Sequence, residues 1–503
     1  MGLLDLPPEI LDLVIDLTLP NGFESFVLSC KTVYGRSKSQ IQRHNTLKRE
    51  WSYTTNANPT RRIDTLGIMH KISREPIIAQ YIESLCLWDQ RQIGPVHVHP
   101  SLPRKDFRAD EKAMEGIKNL LYSTEYFTEA DPGEWWARIV EEDSLKWNDD
   151  GDNLYATITL LSLLPNLKTL QLPDSWHEVR STEVAEALVP SIELLVSMSK
   201  RDGYRLKPLA SLETILPFVE EGYDVRVGLQ CVQPFMVLES VRNLYAVSCV
   251  AVNEDWQGIP LEWPNPSLKS PLTRVEFAYC CMDASGLAVL LANTPALTVF
   301  RYSHQPKWGP LEFDWNAGEF LETIANYCGE QLLELAITID ELHGQVVTGL
   351  SSFMRFPKLQ KLEVDVEAFC GPPVESGQRL GHNATIPDGA KAWEHLDIPC
   401  MGDMLPASIC ELHVNTNFPS PSEMALRALF KNIKDRRMDK LILLHTTIIR
   451  QWKRSTAKDI ADYHGAIFEA FDEGVLYPRP RSMMPQWKRQ FDQLVGGIVM
   501  SES

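Results

Sequence analysis

Apolar residues recur along the chain in a six-residue cassette, at its first, fourth and sixth positions. The copies are IESLCL from Ile82, LKTLQL from Leu167, VRNLYA from Val241, LTRVEF from Leu272, LTVFRY from Leu297, LLELAI from Leu332, LQKLEV from Leu359, ICELHV from Ile409 and MDKLIL from Met438. The last two apolar positions alternate across one polar residue, as in a strand with a single buried face. Three residues past each copy stands a side chain that can hydrogen-bond: Gln90, Ser175, Cys249, Cys280, Gln305, Asp340, Glu367, Asn417 and Thr446. A chain that turns sharply after a strand leaves backbone groups in need of partners away from water, and a polar side chain there supplies them. Cys249 and Cys280 are therefore read as turn residues and not as redox or metal ligands.

Helical spacing fills the intervals: Leu287, Leu290 and Leu291; Phe320, Leu321 and Ile324; Val346, Val347, Leu350 and Phe353; Leu426, Leu429, Phe430 and Ile433. Strand and helix thus alternate once per unit. That arrangement resembles leucine-rich repeats, with parallel strands inside and helices outside. The spacing is irregular: 25 residues separate the Leu272 and Leu297 copies, 35 the next pair, and 50 the Leu359 and Ile409 copies. Two stretches interrupt the array. Residues 173–240 are mostly helix-patterned with one faint cassette at Leu212, and residues 370–390 read as a loop rich in Gly and Pro.

The N-terminal pattern is different. Pro7 and Pro8 favour a helix start, and Pro20 and Gly22 stop it, which predicts a helix ending near Leu17. Glu9, Asp12 and Asp16 form a narrow polar stripe, while Ile10, Leu11, Leu13, Val14, Ile15 and Leu17 spread over an arc of about 200°. A second helix is expected over Phe23 to Tyr34, where Phe23, Phe26, Val27, Cys30, Val33 and Tyr34 keep helical spacing. It can cover one apolar face of the first helix and leaves the other over. Six such side chains represent roughly 9–18 kcal/mol if fully buried, an upper bound. A segment of this size buries only about 60% of its surface, so the remainder of the chain or another protein must cover the rest.

Composition narrows the classes. With 44% hydrophobic and 23% charged residues the 503-residue chain reads as folded and soluble, and no apolar run is long enough to cross a membrane. Ten cysteines without a C-x-x-C pair suggest neither a disulfide framework nor a zinc site, so a reducing compartment, cytoplasmic or nuclear, is expected. A net charge of −18 argues against nucleic acid as a partner. The charge is unevenly spread. Thr124 to Asp152 holds ten acids against Arg138 and Lys146, interleaved with Trp135, Trp136 and Trp147, whereas Arg427 to Lys458 holds ten bases against Asp435 and Asp439.

Leu6-Pro7, Glu9-Ile10-Leu11, Val14-Ile15 and Ser29-Cys30-Lys31 ending in Tyr34 resemble an F-box over about the first 45 residues. Thr18 stands where that family usually has Leu. The stretch HKISREPIIAQYIESLCLW looks like the leading unit of divergent fungal F-box proteins. The resemblance implies an α/β chain in three parts: an all-helical F-box at 1–50, a helical linker at 51–80, and an irregular leucine-rich-repeat-like, substrate-binding solenoid at 81–503. It further implies a non-catalytic receptor of a cullin-RING ubiquitin ligase, docked on a Skp-type adaptor and through it on a cullin. Leu6, Pro7, Ile10, Leu11 and Ile15 are the positions expected to meet the adaptor, with Val14 and Leu17 turned to the F-box's own helices. An interaction scaffold that recruits no adaptor is the competing reading.

Enzyme signatures are thin, with no phosphate-binding Gly loop, nucleophile elbow or H-E-x-x-H. His97 and His99 lack partners at metal-site spacing and are read as loop residues. No cofactor is expected. Substrate capture is assigned to the inner strand face, whose exposed cassette residues include Trp88, Tyr245, Glu276, Arg301, Glu363 and His413. Arg436, Arg437, Lys440, Arg450, Lys453 and Arg454 form a basic segment suited to an acidic or phosphorylated ligand, or to plain solvation.

Overall fold

Eight of the nine cassettes become strands, and the reason is visible in their pairing. The structure is a computed structural model that describes residues 6–56, 64–88, 110–128, 131–145, 154–176, 183–201, 207–253, 257–309, 312–416, 422–451, 457–470 and 485–500. The chain divides into two compact units, Met1–Thr214 and Ile215–Ser503, each a mixture of helices and parallel strands.

The first unit opens with four helices, α1 (Pro8–Leu17), α2 (Phe23–Val27), α3 (Lys31–Arg36) and α4 (Lys38–Trp51). The single helix expected from Phe23 to Tyr34 is broken between Val27 and Lys31, with Cys30 extended as the cap of α3. An unbroken helix would set Val27 and Val33 about 120° apart. The break lets both join one core with Leu11, Ile15, Leu19 and Phe23. Strand β1 (Tyr53–Thr55) follows at once, inside the stretch expected to be helical linker, and pairs parallel with β2 (Ser84–Cys86), which pairs with β3 (Thr169–Gln171). Thr54, Leu85 and Leu170 stand in register. The helices between them start on side-chain caps where the sequence supplies an aspartate: Asp64 accepts from the Gly67 amide at 2.8 Å, and Asp110 from the Ala113 amide at 3.1 Å. The faint cassette at Leu212 forms the two-residue strand β4 (Thr214–Ile215), where the two units divide.

In the second unit the strands are β5 (Val227–Gly228), β6 (Asn243–Val247), β7 (Cys249–Ala251), β8 (Arg274–Met282), β9 (Val299–His304), β10 (Glu334–Ile339), β11 (Lys361–Asp365), β12 (Glu411–Thr416), β13 (Thr446–Gln451) and β14 (Ile467–Ala470). Strands β6 and β8 through β14 pair parallel in that order, and β7 pairs with β5 and β8. Cassette residues align across the ladder: Leu244, Val275, Phe300, Leu335, Leu362 and Leu412 share one row, and Ala246, Phe277, Tyr302, Ile337, Val364 and Val414 the next. Both rows are buried. Phe320, on the helix Ala317–Cys328, meets the rings of Phe300 and Tyr302 at 6.3 and 4.6 Å between centroids, so that helix seals this apolar face.

The polar position after the cassette meets backbone groups at Cys280, as expected, and side chains at Gln305. The Cys280 thiol accepts from the Cys249 amide at 3.3 Å and donates to the Ala278 carbonyl at 3.3 Å, and Gln305 accepts from the buried Lys307 ammonium at 2.8 Å. Ser248 and Tyr279, one residue before each cysteine, hold left-handed backbone (φ 53° and 56°), which makes the turn sharp. All ten cysteines are free thiols.

Two expectations are corrected. The cassette at Met438 is not a strand: Met438 and Leu443 are exposed, and β13 begins at Thr446. Its true cassette is Leu444, Thr447 and Ile449, with Thr447 opposite Leu412 and Ile449 opposite Val414, and the threonine disguised the pattern. The run Val346 to Phe353 is an irregular, non-helical segment, in which Gly349 lies directly against Gly371: a Cβ there would stand 2.6 Å from the Gly371 carbonyl oxygen. The Gly349 and Leu350 amides donate instead to Pro372 and Ala368 carbonyls, both at 2.9 Å.

Leu362→Ala, at the centre of the apolar row, is expected to lower unfolding free energy by about 2–5 kcal/mol in a denaturant titration. Acid sensitivity is expected from His304, whose ring is fully buried, stacks on Trp315 at 4.4 Å and lies 3.0 Å from the Tyr302 hydroxyl. Burial, helped by the Lys307 cation, pushes this imidazole down from 6.5 to about 3. The unfolded chain takes up that proton near pH 6.5 and the folded chain only near pH 3, so the stability held by the neutral ring is complete above pH 6.5 and declines as pH falls. Unfolding free energy measured between pH 6.5 and 4 should fall with a His304 contribution of up to about 1.4 kcal/mol per pH unit, removed in His304→Gln.

Candidate functional site

The face opposite the apolar rows is built from the residues between them. Register places Tyr245, Glu276, Arg301, Ala336, Glu363, His413 and Ile448 in one row across β6 to β13, and Thr338, Asp365, Asn415 and Arg450 in the row beside it. Sequence reading assigned Tyr245, Glu276, Arg301, Glu363 and His413 to an exposed face. All five are buried.

Three of them, Tyr245, Arg301 and Glu363, meet the helix Gln486–Met500 of the same unit. Glu363 marks where it starts: one carboxylate oxygen accepts from the Gln486 amide at 2.7 Å and the other from the Trp487 amide at 3.1 Å. A carboxylate at a helix start satisfies amides that have no partner in the helix and meets the positive end of its dipole. Trp487, 1% exposed, donates its indole N–H to the Thr338 hydroxyl at 3.2 Å. The Lys488 ammonium, also 1% exposed, bonds Asp340 at 2.6 Å and sits 3.1 Å from the centroid of the Tyr279 ring. Burial pushes this ammonium's pKa down, with Asp340 opposing the shift. Gln490 accepts from Arg301 at 3.1 Å, and the Phe491 ring meets Tyr245 edge-on at 5.8 Å.

Charges beneath the helix are paired with one another as well. Arg301 bridges Glu334 at 2.7 Å and Glu276 at 3.3 Å, and Arg450 bridges Glu363 at 3.1 Å and Glu469 at 2.6 Å. Burial raises the pKa of Glu276, against the pull of Arg301 and Arg274. Burial also lowers that of His413, which bonds Glu411. Arg450, expected on a basic segment open to an acidic ligand or to solvent, belongs instead to this buried network because β13 points it to the covered face.

The rest of the basic segment stays outside it. Arg436 is half-exposed and held by Asp403 at 2.7 Å and Asp439 at 3.3 Å. Arg437 donates to the Gly465 carbonyl at 3.4 Å, and Lys440 to the Asp403 carbonyl at 3.2 Å. Lys453 and Arg454 lie outside the described residues, as do His97, His99 and Trp147. In the first unit Trp88 is half-buried, its backbone tied to the Asn56 amide group at 2.6 and 2.8 Å. Trp135 is a core residue that donates to Thr159 at 2.8 Å.

The first unit carries a second candidate surface. Leu11 and Ile15, 3% and 0% exposed, belong to the helical core, whereas Ile10, Leu13 and Leu17 stand 44%, 54% and 75% exposed along the other side of α1. Leu28 and Tyr34 add exposed apolar area from the following helices. Pro7 is exposed, and Leu6 and Val14 are half-buried. The faces are thus exchanged at Leu11, Ile15 and Leu17 relative to expectation: the 3.6-residue period shows that two apolar stripes exist but not which one the next helix takes. Arg36 fixes α3 to α1 through Asp12 at 2.9 Å.

Among the described residues no cluster of His, Cys, Asp and Glu has metal-holding geometry, and no helix is long and apolar enough to cross a membrane. The residues that sequence reading missed are Gln486, Trp487, Lys488 and Phe491. Pro485 followed by apolar residues at 487, 491 and 494 was their signal. Comparison with family models finds no matching family, and comparison with curated proteins finds no matching relative.

Glu363→Ala removes the acceptor of Arg450 and of two helix amides together, so equilibrium unfolding should report a loss of about 3–5 kcal/mol. A loss below 1 kcal/mol, comparable to an exposed ion pair, would contradict the burial of this network.

Proposed function

We propose that this protein is a non-catalytic substrate receptor of a cullin-RING ubiquitin ligase: α1 to α3 act as an F-box that docks on a Skp-type adaptor, and the strand-and-helix repeats act as a leucine-rich-repeat-like receptor for a protein substrate. The observation that carries the reading is the exposed stripe of Ile10, Leu13 and Leu17, extended by Leu28 and Tyr34, on helices whose other stripe already fills a core. Scattered apolar residues on a surface need no explanation, but a contiguous set on one helix marks an interaction site. Covering these side chains on a partner contributes on the order of 5 kcal/mol, a useful share of an obligate interface. The motif residues Leu6-Pro7 and Glu9-Ile10-Leu11 supply the family argument. In this role the protein performs no bond chemistry. It raises the effective concentration of a substrate beside a ubiquitin-charged enzyme supplied by the rest of the complex.

Copurification of the full chain with a Skp-type adaptor tests the reading. The unaltered chain should form a stoichiometric complex, and Leu13→Asp with Leu17→Asp should abolish it. Both positions are exposed, so the melting transition should barely move. An adaptor that never associates, or that binds the double variant equally, would leave a scaffold without ligase role.

A further inference from the structure

The two faces of the second-unit sheet are closed in different ways. The apolar face is sealed by helices that belong to the repeats, such as Ala317–Cys328. The polar face is covered by the helix Gln486–Met500, which follows the last strand. Its grip depends on groups that water would solvate well if it left: Asp340, Glu363, Arg301 and Arg450 on the sheet side, and Lys488 on the helix side. Buried ion pairs add little net stability compared with apolar packing, yet they fix register and partner. The helix is held by specific polar partners as well as by apolar contact, so the face discriminates among the helices that could lie on it.

We propose that this polar face is a receptor for an amphipathic α-helix of another protein, and that the helix Gln486–Met500 occupies it as an intramolecular competitor. The contacts define the ligand. Its first amides meet Glu363, an aromatic residue reaches Thr338, and a cation one residue later enters the pocket of Asp340 and Tyr279. A second aromatic residue, four positions after the first, lies on Tyr245. The recognised pattern is therefore aromatic, cationic, two intervening positions of which the second accepts from Arg301, then aromatic, placed at a helix N-terminus. The Asp340 carboxylate and the face of the Tyr279 ring both select for a cation and against an acidic residue in the second place. Because the internal helix belongs to the same chain, an outside helix binds with an affinity reduced by the fraction of time the face stands open. The inference rests on the second unit capturing a protein, and not on adaptor docking by the first.

Fluorescence anisotropy of a labelled peptide of residues 485–500 with the full chain tests it. A variant carrying Trp487→Ala, Lys488→Ala and Phe491→Ala should bind the peptide about tenfold or more tighter than the unaltered chain. A peptide with Lys488→Glu should lose that gain. A triple variant that melts cooperatively and binds no better than the unaltered chain would overturn the proposal. Hydrogen exchange on the unaltered chain decides the matter if the triple variant fails to fold. Amides of 488–494 should open at lower free energy than those of β9 to β11, and exchange only in concert with those strands would make the helix a fixed part of the core. Peptide binding without adaptor copurification would leave this inference standing and remove the ligase reading. Adaptor copurification without peptide binding would do the reverse.

Discussion

A carboxylate buried in the middle of a sheet face has to be satisfied completely, and Glu363 is satisfied from three directions. Arg450 comes from β13, the Asn415 amide from β12, and the Gln486 and Trp487 amides from the start of a helix more than 120 positions further along. Removing a hydrated carboxylate from water costs several kcal/mol unless such partners are in place. The position of the helix start is thereby fixed, and with it the depth of Trp487 and the line of Lys488 into Asp340. The covered face, its buried charges and its candidate role in recognition all follow from that one constraint.

The sheet beneath arises from a simpler rule. Alternation in a strand sends neighbouring residues to opposite faces, and parallel pairing in register stacks like on like. Leu335, Leu362 and Leu412 therefore form an apolar row with no further instruction, while Ala336, Glu363 and His413 form a mixed row on the other side. A parallel sheet is ordinarily covered on both faces. Here helices between the strands, such as Ala317–Cys328, cover the apolar face, and a single later segment lies on the polar one.

Most of this sheet was legible because the cassette reports local periodicity, which local sequence sets. What was not legible depended on distance. Thr447 stands where the cassette calls for an apolar residue, and only pairing with Leu412 reveals its place. The Val346 run keeps helical spacing, yet it folds as an irregular segment whose Gly349 packs against the distant Gly371. Arg450 read as part of a basic surface segment because its partners, Glu363 and Glu469, are remote or on another strand. On α1 both apolar stripes were visible, and tertiary packing alone chose Leu11 and Ile15 for the core. The covering helix announced itself by Pro485 and a 487–491–494 period, but nothing local says that it lies on Glu363.

The chain thus presents two contrasting surfaces, an apolar one left open on α1 and a polar sheet face covered by the helix Gln486–Met500. The account stands on Trp487 and Phe491 being enclosed against that polar face. Hydroxyl-radical footprinting of the full chain with mass-spectrometric readout tests this directly. Trp487 and Phe491 should be modified as slowly as the core residue Phe300, and far more slowly than Trp308, which is 63% exposed. Modification of Trp487 at the rate of Trp308 would show the face uncovered and contradict the account.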